Sequence, residues 1–111
     1  MLTWNIQEMT GYHPKTTLYE DFSIADGFGA DAIIDTCKRA FNAWKDNTEY
    51  LTELVMVLNW KTLEHYEAGR GSYAELYNNL WTKADSWAME NLKGEDLKYY
   101  LEFNKHLQVQ F

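Results

Sequence analysis

One proline, Pro14, stands near the start of this 111-residue chain, and none follows it. Proline is the strongest helix breaker, because it lacks the backbone N–H and its ring clashes with the preceding turn. Everything beyond Pro14 is therefore free to be helical. The remaining punctuation is glycine, and most of the 6 glycines fall between stretches of helical period.

Read from these breaks, residues 1–15 have no period and form an irregular arm, extended around Trp4-Asn5-Ile6. A first helix is predicted over Thr17–Phe28, ending at Gly29; Ser23 with Asp26 resembles a capping box inside it, which would split it into two short turns. A second, Ala30–Asp46, sets Ile33, Ile34, Cys37, Ala40, Phe41 and Trp44 at helical spacing. A third, Thr48–Glu67, carries Leu51, Leu54, Val55, Leu58 and Tyr66 on one face, widened by Val57 and Trp60. A band this wide predicts the most buried helix. A fourth opens at Ser72 with the capping box Ser72-Tyr-Ala-Glu75 and ends near Lys93-Gly94, with Tyr73, Leu76, Tyr77, Leu80, Trp81, Ala84, Trp87 and Ala88 in register. A fifth, Glu95–Lys105, carries Leu97, Tyr100 and Leu101, and residues 106–111 form a tail. The expectation is one all-α domain: a compact bundle of four to five helices with short connections, its helical core spanning 16–105.

Composition excludes several classes of function. The net charge is −7, with 10 bases against 17 acids. That disfavours direct nucleic-acid binding, which needs clustered Lys and Arg, and equally an anionic membrane surface. It suits a protein partner with a basic surface. The apolar run Leu54–Leu58 is too short to span a membrane, and residues 1–5 lack the features of a signal peptide. A single cysteine, Cys37, makes no internal disulfide and fits a reducing, cytoplasmic setting. It falls in the apolar stripe of the second helix, so a buried structural thiol is expected and not a nucleophile.

Constellations for chemistry are weak. Glu102 and His106 are four apart without a third ligand, and Glu64, His65 and Glu67 crowd together as surface helix residues, so no metal is expected. Gly27-Phe-Gly29 and Gly69-Arg-Gly71 lack the rest of any phosphate loop, and no serine sits in a hydrolase motif. No cofactor and no catalytic group is assigned. The aromatic stripe Tyr73, Tyr77, Trp81 and Trp87 has no basic groove beside it and reads as core packing.

The acids are more distinctive. Glu20, Asp21, Asp26, Asp31 and Asp35 fall between Thr16 and Cys37 with no Lys or Arg among them, and Glu49 and Glu53 extend the set on the third helix. Part of this charge is local structure. Asp26 is half of a capping box with Ser23, Asp31 lies in a first helical turn, and Asp35 has Arg39 at i+4. Glu20 and Asp21 have no such local role.

Three blocks of sequence are recognisable. The first holds Asp21-Phe-Ser-Ile-Ala-Asp26, Phe28-Gly29, Asp35-Thr36, Arg39-Ala-Phe41 and Trp44-Lys45; the second is Tyr50 to Lys61; the third holds Leu76-Tyr, Asn79-Leu80-Trp81 and Asn91-Leu-Lys-Gly-Glu95. Over roughly Thr16 to Phe103 they resemble a family of small acidic proteins encoded on conjugative and phage-like mobile elements of Firmicutes. The resemblance implies a cytosolic accessory protein and supplies no activity or catalytic residue. Such elements carry inhibitors of host defence, anti-restriction and anti-CRISPR proteins among them.

Three functions stay open at this level. The first is an interaction protein whose acidic face, Glu20, Asp21, Asp26, Asp31, Asp35, Glu49 and Glu53, occupies a basic surface on a nucleic-acid-handling protein. The second is a helical scaffold or homo-oligomer with Trp4, Trp60 and Trp87 at its interface. The third is an enzyme or ligand binder with His65, Glu64 and Glu67 converging in a pocket.

Overall fold

The computed structural model describes residues 14–107, with side chains from Leu18 to Phe103. Among the described residues five helices follow one another: α1 (Pro14–Asp26), α2 (Ala30–Trp44), α3 (Thr48–Glu67), α4 (Gly71–Asn91) and α5 (Glu95–Leu107). No strand occurs among the described residues. All four connections are three residues long, and such short links make sequential helices pack as neighbours. The fold is the all-α bundle expected.

α3 is the central element. It packs on all four other helices, most extensively on α4. Leu51, Leu54, Val55, Val57 and Leu58 are wholly buried, so the helix is apolar on nearly every side, as its wide band predicts. Around it lie Leu18 and Phe22 of α1, Ile33, Ala40 and Trp44 of α2, Tyr77, Leu80, Ala84 and Ala88 of α4, and Tyr100 of α5. The tyrosines and Trp81 and Trp87 of the α4 stripe pack on this core, as the missing basic groove led one to expect.

α3 begins and ends where its signals place it. The Asn47 side chain accepts from the Tyr50 N–H at 3.2 Å, satisfying one of the free donors of the first turn. At its C-terminus Gly69 takes φ +79°, Gly69 N donates to Tyr66 O and Arg70 N to His65 O. This is a Schellman turn, and a residue with a Cβ would be strained at Gly69.

Several boundaries move. α1 begins at Pro14, inside the stretch assigned to an arm. Proline suits a first turn, where its missing N–H would have had no partner in any case. α1 runs unbroken through Ser23 to Asp26, so the two-turn reading and the Ser23–Asp26 capping box both fail. α2 ends at Trp44, and α5 continues to Leu107. The Ser72–Glu75 capping box also fails: the N-cap of α4 is Arg70, without a side-chain cap, and Ser72 lies inside the helix. Arg70 is held by the Schellman turn behind it, which sets the start of α4 before Ser72 can cap it. Trp4, the remainder of the arm, the His106 side chain and the end of the tail lie outside the described residues.

Candidate functional site

α3 carries its apolar band toward its C-terminal half, and there two polar residues, Lys61 and His65, replace apolar ones one turn apart. Both are buried, Lys61 at 0 % exposure. A buried ammonium requires paired and hydrogen-bonded surroundings. α1, α4 and α3 itself supply them. Lys61 Nζ lies 2.8 Å from Asp26 Oδ2, 2.8 Å from Glu64 Oε2 and 3.2 Å from Ser23 Oγ. The rings of Tyr19 and Tyr77 stand 5.0 and 5.9 Å from the same nitrogen, within cation–π range.

Asp26 is the hub. It is the last residue of α1, and its carboxylate turns inward to three other chains of contacts. Tyr77 donates its hydroxyl to Asp26 Oδ1 at 2.6 Å, and His65 Nε2 lies 2.9 Å from Oδ2. Arg70 Nε donates to His65 Nδ1 at 2.7 Å. A guanidinium only donates, so Nδ1 is the acceptor and Nε2 carries the proton given to Asp26. The imidazole ring stacks on Tyr77 at 5.3 Å and 11°. Tyr73 donates to the Asp26 carbonyl at 3.2 Å, and Tyr19 donates to Glu64 Oε1.

Asp26, Glu64 and His65 offer ligand atoms within 4.8 Å of one another, a donor set that suits a divalent cation. The Lys61 ammonium already lies between the two carboxylates, so the cluster carries its own cation. Its electrostatics fit that role. Burial pushes the Asp26 carboxyl up, but the Lys61 hydrogen bond and charge, with Tyr77 and His65, outweigh it and hold the group below the usual range. Burial likewise raises Glu64, and Lys61 and Tyr19 bring it below its ordinary value. Burial lowers Lys61, and Asp26 and Glu64 more than offset this, leaving it raised. The Tyr77 hydroxyl is driven far up by burial and then by Asp26. Acid–base catalysis wants groups drawn toward the working pH, whereas every shift here drives a group away from neutrality. The cluster is a buried network of ion pairs and hydrogen bonds.

The structure therefore corrects the surface reading of His65. It also removes His65 from the pocket expected with Glu64 and Glu67: His65 is buried, while Glu64, bound to Lys61 and Tyr19, and the exposed Glu67 line an open depression with Tyr19 and Trp60. From sequence, Lys61, Tyr19 and Arg70 were given no part in a site, and Tyr77 was read as core packing only. A signal existed for Lys61: on a helix apolar all round, a lysine has to be buried and has to find a carboxylate.

The acids named for partner binding separate into groups. Asp26 is withdrawn into the centre. Asp21 and Asp35 line a depression of about 260 Å³ between α1 and α2, with Ile24, Ala25, Phe28, Ala32, Thr36 and Arg39. Glu20 and Asp31 are exposed on the same two helices, Asp31 in the first turn of α2 as its position predicts. Asp35 pairs with Arg39 at 3.0 Å, both largely exposed. Glu49 joins Asp46, Glu95, Asp96 and Tyr99 in a second depression between the starts of α3 and α5. Burial raises the Tyr99 hydroxyl, and the charges of Glu49 and of the half-buried Glu53 raise it further.

The α1–α2 depression has a second property that the acid pattern does not show. Phe28 is 81 % exposed and Ile24 63 %, the two most exposed large apolar side chains among the described residues. Phe28 stands in the turn after α1, where three successive N–H groups bond back to Ile24 and Ala25 and fix the chain. No known family pattern, characterised protein or solved structure matches the chain.

Proposed function

We propose that this protein is an acidic interaction module that docks on a basic protein surface through the α1–α2 face. The observation that carries this reading is the exposure of Phe28 and Ile24 between Asp21 and Asp35. Apolar anchors inside a charged rim are the anatomy of an interface, since the anchors supply affinity and the charges steer and select. Glu20 and Asp31 extend the rim, and Arg39 is the one base lining the depression among the described residues. In keeping with the resemblance to mobile-element proteins, the partner class is a nucleic-acid-handling protein of the host, such as a restriction or CRISPR component. The carboxylates take the place of phosphates against its Arg and Lys side chains. The setting is the cytoplasm.

Affinity capture from host lysate tests this, comparing the native chain with a Glu20→Lys, Asp31→Lys, Asp35→Lys variant and with Phe28→Ser. All four positions are exposed, so both variants keep the fold. The native chain is expected to retain a nucleic-acid enzyme at low salt and release it as salt screens the contact. Neither variant should retain it. Equal capture by all three proteins, independent of salt, would sink the reading.

A further inference from the structure

α2 and α4 face each other across a gap that the core does not fill. Ile34, Cys37, Lys38, Phe41 and Asn42 of α2 line one wall, and Leu76, Asn79, Leu80, Lys83, Ala84 and Trp87 of α4 the other. Each set follows the i, i+3, i+4, i+7, i+8 spacing of a single helix face. The gap measures about 610 Å³, within the range of small-molecule sites. Phe41 and Trp87 meet edge to face at 5.1 Å within the lining.

The polar groups of this groove set it apart. Each of the other depressions described above is lined by at least two carboxylates: Asp21 and Asp35, Asp46, Glu49, Glu95 and Asp96, or Glu64 and Glu67. In a chain of net charge −7 that is the ordinary outcome. The α2–α4 groove has no acid among its lining residues, and its polar groups are Lys38, Lys83, Asn42 and Asn79, all hydrogen-bond donors. Neither lysine forms an ion pair among the described residues. Lys83 is close enough to the Cys37 thiol to draw it down, against the burial that pushes it up to about 11. That places a positive charge near the apolar lining.

We propose that this groove binds a small amphipathic anion, an apolar body with one carboxylate or sulfonate of the medium-chain fatty-acid type. The apolar body lies between Ile34, Phe41, Leu76 and Leu80, and the anion is met by Lys38 and Lys83 from opposite walls. Lysine suits this use as a mobile point charge on an apolar stem.

The test uses the full chain and three probes of equal chain length: decanoate, decanol and decyltrimethylammonium. Each is titrated against bound anilinonaphthalene sulfonate. Decanoate is expected to displace the dye about tenfold more tightly than decanol, and the cation least. A Lys38→Ala, Lys83→Ala variant alters only exposed positions and should fold normally; it is expected to lose that preference while still taking up decanol. Ile34→Trp, which fills the groove, should block all three, with its thermal melting checking that it folds. Equal affinity for decanoate and decanol overturns the proposal, as does an unchanged preference in the lysine variant. So does sedimentation showing that the groove is closed by a second copy of the chain.

Discussion

Asp26 and Asp35 come from one acidic stretch, and the fold uses them in opposite ways. Asp26 ends α1 against α3 and α4, and its carboxylate meets Lys61, His65 and Tyr77 at hydrogen-bond distance. Asp35 stands on the outer side of α2 and meets one solvent-exposed arginine at the same sort of distance, 3.0 Å. Distance alone does not distinguish them. What differs is the surrounding medium: the Asp35 and Arg39 side chains are 66 % and 73 % exposed, while that of Lys61 is 1 % exposed. Water screens the first pair and competes for its hydrogen bonds; it is largely excluded from the second.

The largest expected effect follows from removing the hub. Asp26→Ala leaves a buried ammonium short of a counter-charge, strands the His65 N–H and leaves the Tyr77 hydroxyl with only its longer bond to the Phe22 carbonyl, at 3.3 Å. It should cost about 3–5 kcal/mol in urea unfolding. A loss near that of an exposed pair, below about 1 kcal/mol, would erase the contrast with Asp35.

Removing the cation is expected to come next. Lys61→Met leaves Asp26 and Glu64 facing one another without their shared charge, at a cost of about 3 kcal/mol. The two carboxylates, with His65 once it takes its other tautomer and gives up the Arg70 bond, then form an open ligand set. Added Zn²⁺ should raise the melting temperature of this variant and leave the native protein unmoved. No Zn²⁺ effect on the variant would mean that the donors collapse onto other partners once Lys61 is gone.

Acid unfolding reads the same centre from another side. The folded values of Asp26 and Glu64 lie below their ordinary 3.8 and 4.5, so near pH 4 the unfolded chain binds more protons than the folded one. Their contribution is present above those values and is lost as pH falls through the folded ones. Lys61 runs the other way: its folded value lies above 10.5, and its contribution fades as pH rises through it. Stability should therefore be flat near neutrality and fall at both ends. Asp26→Asn should flatten the acid limb.

This centre was hardly legible in the sequence, although the fold was. The helical period and glycine breaks mark five helices because these signals act within a few residues. α3 in particular is bounded by Asn47 and Gly69, whose local geometry suffices. Asp26 shows the opposite case. Ser23-Ile-Ala-Asp26 has the pattern of a local cap, but its Asp26 partners stand 39 and 51 residues away along the chain. Tertiary contacts of that separation outcompete a cap worth about 1 kcal/mol. Ser72 lost its capping role in the same way, to Arg70, which α3 holds through His65. The exposed acids were legible as charges, but the apolar pair beside them, Ile24 and Phe28, read as ordinary members of a helix.

A smaller effect separates the hydrogen bond from the charge. Tyr77→Phe keeps the ring that stacks on His65 and packs edge-on against Phe22 at 5.6 Å, and removes only the hydroxyl. Hydrogen bonds to charged groups contribute about 1.5–3 kcal/mol, and the loss here should fall near the lower end because Lys61 and His65 still hold Asp26. Combined with Asp26→Ala, the hydroxyl has only the Phe22 carbonyl left to lose and no longer a charged acceptor, so the two changes should cost less than their sum. Strict additivity would show that Tyr77 contributes through packing alone.

The smallest effect belongs to Asp35. Asp35 precedes Arg39 in the favourable acid-first order, yet an exposed i,i+4 pair contributes only about 0.3–0.5 kcal/mol. Asp35→Ala should therefore leave the urea midpoint almost unchanged, and salt should remove what difference there is. Its expected consequence lies in binding, where the same change removes one carboxylate from the rim around Phe28. A variant with native stability and weakened, less salt-sensitive partner capture would place Asp35 on the functional side of the comparison. A variant that instead loses more than about 1 kcal/mol of stability would place it with Asp26, as part of the structure and not of the docking face.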